Sequence, residues 1–197
     1  MALRLITAPA SEPLDIELDV KPHLRIDFND DDSYLNGLLT AVREYVEKTE
    51  LSSALVTQTW ELVLDSWPTL PLRFPKPPLQ SVTSITYIDI DGGSGTVASS
   101  AYLVDVDSWP GRLVLKINQS WPSVTLREIG GVVIRFVAGY GDAIEDVPAP
   151  IRQAMLLTIS DLYENRENSP IVPGTTEPIR MPFAARQLLA SYRRRQF

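Results

Sequence analysis

The stretch that most constrains the fold is residues 132–166, VVIRFVAGYGDAIEDVPAPIRQAMLLTISDLYENR, where the apolar repeat changes from period two to helical spacing. Val132, Ile134, Phe136 and Ala138 alternate with Val133, Arg135 and Val137, and bulk on both sides predicts a central strand. Gly139-Tyr140-Gly141-Asp142 ends it, because glycine accepts backbone angles that strain other residues. Pro148 and Pro150 stand where a helix can begin, since the first turn has no use for their missing N–H groups. Beyond them Ile151, Ala154, Met155, Leu156, Leu157, Ile159, Leu162 and Tyr163 cover more than one helical stripe, so this helix needs cover on two sides. At about 1.5–3 kcal/mol per side chain, their gross burial is worth roughly 10–20 kcal/mol before entropy is charged. That makes it the core helix, its second side belonging either to the interior or to a neighbouring copy of the chain.

The rest arranges itself around this strand and helix. Leu35, Leu38, Leu39, Val42 and Val46 form one stripe over 33–48, a second helix to pair with the one over 150–166. Between them, Trp60, Leu62 and Leu64 alternate with polar or smaller neighbours as in a strand with one protected face. Five prolines over 68–78 predict an extended crossing that wraps a sheet edge, since proline cannot join a central ladder. A strand over 82–90 is expected to turn at Asp91-Gly92-Gly93-Ser94-Gly95 into a partner containing Tyr102, Val104 and Val106. The fold expected is α+β: a small helical bundle (33–48 and 150–166) with an antiparallel β lobe inserted over 55–140, and a C-terminal tail helix.

The two ends read differently from the body. Residues 1–13, with Pro9 and Pro13, read as a flexible or docking arm ahead of a main domain over 14–167. Residues 16–26 read as a short helix interrupted near Pro22, with Leu18, His23 and Ile26 inward. Residues 168–182 are a proline-rich extended linker, able to carry a basic helix over 183–197 roughly 45 Å at about 3 Å per residue. That helix sets Ala185, Leu188, Leu189 and Tyr192 on one side.

Reactive chemistry is sparse. There is no cysteine, which excludes disulfides, thiolate metal sites and a cysteine nucleophile. His23 is the only histidine, in an acid-flanked segment, and no nucleophile turn of the G-x-S-x-G kind is present. Asp27, Asn29 and Asp31 alternate as in a calcium loop, but position six is Asp32 and position twelve Leu38, so capping of the next helix by Asp32 or Ser33 is the better reading. Asp142, Glu145 and Asp146 suit either a carboxylate site or a helix N-terminus. Neither a cofactor nor an enzymatic role is expected. The net charge of -7 argues against a grip on nucleic acid, although from residue 180 onward there are five arginines and no acid. Trp60, Trp67, Trp109 and Trp121 all fall in or beside the β lobe, leaving open a module that binds another protein or a sugar. No apolar run approaches a membrane span, and MALRLITAPASEP is too short in its apolar part for a signal peptide, which predicts synthesis in a reducing, cytoplasmic compartment.

One ordered set remains: REYVEKTE closing the first helix, LVTQTWELVLDSWP, PPLQSVTSITYIDIDG, YLVD, GRLVL, a Trp-Pro pair, VVIRFVAGYGD and VPAPIRQAMLLTISDLYENRE. In this order the segments resemble the head-tail connector (adaptor, or head-completion) proteins of long-tailed bacteriophages, over about residues 14–167. The resemblance implies a structural protein of the virion neck. It would form a ring, dodecameric in expectation, beneath the portal protein, pass DNA through its channel without reading sequence, and meet a downstream stopper or tail-completion protein. It also implies a portal contact for the tail, which here would fall to Phe183, Arg186, Leu188, Leu189, Tyr192, Arg193, Arg194, Arg195 and Phe197. Within a ring, the second face of the core helix (Ile151, Met155, Leu156, Ile159 and Tyr163) would become the subunit contact.

Overall fold

The computed structural model describes residues 1–166 and 181–193. The chain divides into two units, one of residues 1–10 and 56–142, the other of residues 11–55 and 143–197.

The first unit is all β. Strands β1 (Ala2–Thr7), β2 (Gln58–Leu64), β3 (Leu72–Arg73), β4 (Leu79–Ile88), β5 (Ser94–Thr96), β6 (Tyr102–Asp105), β7 (Arg112–Leu115) and β8 (Val132–Ala138) make two antiparallel sheets. Their orders are β1-β2-β8-β4-β5 and β3-β7-β6. The strand singled out first, β8, is thus the middle of the larger sheet, with Ile134 opposite both Leu62 and Ile85. One face is closed: Leu62, Ile85, Ile134 and Phe136 are fully buried, and the Phe74 ring lies 5.0 Å from that of Phe136. On the other face Arg135 is exposed, donating to Glu61 at 2.7 Å, while Val133 and Val137 are half-buried. β8 is therefore central by position, with only one of its two apolar faces fully covered.

Three expectations for this unit are corrected or sharpened. Residues 2–7 are an edge strand where an arm was expected: ALRLIT alternates, so Leu3 and Leu5 oppose Leu62 and Trp60 while Arg4 lies 3.5 Å from Glu61, and the prolines follow the strand. The glycine turn returns into Ser94–Thr96 and not into Tyr102, because a 3-10 turn at Ser99–Ala101 redirects the chain into the second sheet, where Tyr102 opposes Leu115. The proline-rich crossing supplies only β3, at the edge of that sheet, where a ladder can end without a donor.

The second unit is helical. A π turn (Ile16–Val20) leads into α1 (Lys21–Leu24); α2 (Asp32–Tyr45) continues into a second π turn (Val46–Glu50); α3 spans Ala149–Glu164 and α4 Phe183–Leu189. In the 16–26 segment Leu18, expected inward, is 79% exposed and Val20 is buried instead, while His23 and Ile26 are half-buried. Leu35, Leu39, Val42 and Val46 meet Ile151, Ala154, Met155 and Ile159 in the core. α3 packs against both α2 and α4, and more lightly against α1 and the first π turn, the broad cover its composition demanded. The tail helix is thus held on its own unit instead of being carried away; residues 168–180 of the expected linker lie outside the described residues.

Candidate functional site

The helical unit is held by a series of ion pairs. Its entry and exit are clamped by ionic groups, beginning at the acidic loop. The Lys21 ammonium, almost fully buried, lies 2.6 Å from Glu17, 2.7 Å from Asn29 and 2.7 Å from Asp32, and Asp32 followed by Glu17 raises its pKa. A lysine thus sits among the oxygens that suggested calcium, and no cluster of three or more acids, histidines or cysteines fit to hold a metal occurs among the described residues. Asp31, not Asp32 or Ser33, takes the N-cap position of α2, and its side chain makes no cap bond. Its carboxylate instead accepts from the Tyr163 hydroxyl at 2.5 Å and the Arg166 guanidinium at 2.7 Å, which hold Asp31 below the usual carboxylate range. Arg166 also stacks over the rings of Tyr34 and Tyr163, so the start of α2 and the end of α3 are tied at one point.

The far end of α4 is tied as well. Ala185 and Leu189 are fully buried, and Arg193 pairs with Glu50. The expected portal residues therefore separate: Leu189 is a core residue, Leu188 and Tyr192 are half-buried, Arg193 is paired, and Phe183 (75% exposed) and Arg186 face outward. Arg194, Arg195 and Phe197 lie outside the described residues. The expected subunit face separates in the same way. Ile151, Met155 and Ile159 have no exposed surface, α3 being packed by other elements of its own unit, and Tyr163 is bound to Asp31, which leaves half-buried Leu156. Helical spacing reveals which residues share a stripe; it does not reveal which neighbour covers it, and α4 was the neighbour unaccounted for.

The remaining candidates are structural in their contacts. Trp67 stacks on Trp121 at 5.0 Å and meets Tyr87 edge-on at 5.5 Å, Trp109 lies 6.0 Å from Tyr140, and Lys76 stands over Trp60, so these rings are engaged within their own unit. Asp105 accepts from Ser108 and Arg112, which lower its pKa to about 2 and fasten the β6–β7 turn. Asp146 accepts the Ala143 N–H at 3.0 Å, closing a 3-10 turn ahead of α3, while Glu145 is exposed. His23 is half-buried on α1.

Residues 17–76 match the family described as Phage gp6-like head-tail connector protein. Among solved structures, a chain from the neck of an empty gene transfer agent (GTA) particle, computed with C6 symmetry, superposes with a TM-score of 0.78 at 22% identity. A chain from the virion of a native GTA particle gives 0.77 at 24% identity, and one from the neck of a native GTA particle, computed with C12 symmetry, gives 0.71 at 22%. Each likeness covers 100% of this chain and 97% of the other. No curated protein matches. The chain is thus similar to the phage head-tail connectors through residues 17–76, and along its whole length it has the fold of chains from gene transfer agent particles.

Proposed function

We propose that this chain is a structural protein of the virion neck, one subunit of a ring beneath the portal that extends the DNA channel and joins the filled head to the tail. The observation that carries the proposal is the chain-long likeness to a neck chain at a TM-score of 0.78, with the connector match over residues 17–76 as independent support. The C12 symmetry of one similar neck is what a twelve-membered ring would have. Such a ring uses heterologous contacts, one face of a subunit against a different face of the next, and half-buried Leu156 on α3 is a candidate for that seam.

The charge distribution suits the role. Residues 11–55 and 143–166, the described helical body without α4, carry fifteen acids against six lysines and arginines, net -9. A wall of that sign avoids the accumulated phosphate contacts that would hold DNA in place, so the duplex can slide. The portal on the head side and a stopper or tail-completion protein on the tail side are the proposed partners, and the role is mechanical, requiring no reacting group. Particles assembled without this chain should accumulate as DNA-filled heads lacking tails, as seen by negative-stain microscopy. Normal yields of tailed particles would reject the proposal.

A further inference from the structure

Two edges of the β unit are open to another strand. A sheet edge presents a row of unpaired N–H and C=O groups, which short strands or prolines ordinarily protect from other chains. β3 is two residues long and lies among prolines, and β5 is three small residues. β1 and β6 have neither defence. β1 runs six residues without proline at the end of the larger sheet, with Leu5 46% and Ile6 45% exposed. β6 ends the smaller sheet, where Leu103 (54% exposed) and Val106 (41%) border an open groove of about 580 Å³. The Lys116 N–H donates to the Ala101 carbonyl at 3.0 Å, and bonded pairs alternate along an antiparallel ladder. The backbone of Leu103 therefore faces β7, and the backbone groups of Tyr102 and Val104 point to the outer edge.

We propose that β1 of one copy of this chain pairs antiparallel with β6 of the next, so that the two open edges close on each other. Charge and apolar pattern set the direction and register. With Arg4 opposite Asp105, Ile6 meets Leu103 on one face, while Leu3 and Leu5 meet Val106 and Val104 on the other. Exposed Asp107 then lies on the diagonal from Arg4, adding to the acid across from it. All four exposed apolar side chains thus gain an apolar partner. A parallel pairing with Arg4 kept at Asp105 sets Ile6 against Asp107 instead. β1 on β1, centred on Arg4, opposes like charges and stops at two copies. Pairing unlike edges is heterologous, so every added copy brings a free edge for the next. The pairing needs only copies of this chain; its closure into a ring rests on the neck reading.

The chain has no cysteine, so introduced pairs report the register without background. Leu103 would take a non-hydrogen-bonded position in the new ladder, where opposed Cβ atoms are close enough for a disulfide. The full chain carrying both Ile6→Cys and Leu103→Cys, treated with oxidised glutathione, should give a ladder of covalent oligomers. An equimolar mixture of the two single variants should stop at a dimer of one of each. Either single variant alone should link at least about tenfold more slowly than the mixture, and adding Val106→Asp to the double variant should slow its ladder about tenfold. Absence of a ladder would overturn the proposal. So would a single variant that links as fast as the mixture, or a ladder indifferent to Val106→Asp. Particles holding a ring of this chain whose cysteines stay unlinked refute the pairing and leave the neck reading standing. A chain that forms the ladder yet is absent from particles does the reverse.

Discussion

Gly139→Ala should destabilise the β unit by about 2–5 kcal/mol, the joint cost of a strained backbone and an overpacked contact. Gly139 follows β8 with φ +133°, a region L side chains rarely occupy, and a Cβ built there would lie 2.5 Å from the Val56 carbonyl oxygen and 2.7 Å from the Thr57 nitrogen. Those atoms are backbone and cannot swing away. They are also committed, since the Thr57 N–H donates to Gly141 and the Gly139 N–H to Pro78. Accommodating one methyl group thus means giving up hydrogen bonds between the ends of three chain segments. Denaturant unfolding followed by tryptophan fluorescence reads this directly, because all four tryptophans lie in the β unit. A loss below about 0.5 kcal/mol, the ordinary range for a surface change, would show that the junction is plastic.

Glu47→Ala should cost the helical unit about 3–5 kcal/mol, because it removes one of the two carboxylates paired with a buried guanidinium and leaves the buried Leu55 N–H without its acceptor. Glu47 is 5% exposed; one carboxylate oxygen accepts the Leu55 N–H at 2.8 Å and the other accepts from Arg43 at 3.0 Å. Arg43 donates in turn to Glu12 at 2.7 Å, and Glu12 also accepts from Thr40 at 2.9 Å. Burial lowers the Arg43 pKa, but Glu12 and Glu47 more than offset it, leaving the guanidinium above its ordinary value. Removing Glu47 takes away part of that compensation, leaving Glu12 alone, and with it the acceptor for Leu55. Replacing both partners, with Arg43→Met and Glu47→Leu, should cost less than Glu47→Ala alone, since no half-compensated guanidinium is then left buried and Glu12 keeps access to water. Calorimetric melting of the three proteins decides it, and a double variant less stable than the single would show that the pair contributes more than its burial costs.

Much of the architecture is legible in the residues, for a physical reason that also marks where legibility stops. Period-two alternation identifies β8 and β2, and helical spacing identifies α2 and α3, because both are local properties of a chain with one wet and one dry side. Edge pairing is not local. Nothing in ALRLIT states that its partner lies near residue 60, so the prolines after it suggested an arm, and the strand emerges only when β2 is present to receive it. The glycine turn was correctly placed but its return strand was not, since three small residues, Ser94 to Thr96, have no apolar pattern to announce them.

The candidate surfaces follow the same rule. The surplus of apolar residues on α3 was real, and a neighbouring copy was one way to cover it. Ile151, Met155 and Ile159 are fully buried within their own unit, and α4, from the far end of the same chain, is one of the elements packed on α3. The buried network of Glu12, Arg43 and Glu47 had no sequence signature, because i,i+4 spacing of Arg43 and Glu47 is ordinary for a solvent-exposed helix face. The acidic loop did have one, and a lysine rather than a metal answers it.

Cryo-electron microscopy of the assembled particle shows whether this chain stands in the neck. The expected result is a closed ring of copies of this chain beneath the portal, surrounding the DNA channel and traceable from β1 through α4. A neck whose density below the portal is filled by a different fold, with this chain elsewhere or absent from the particle, would contradict it.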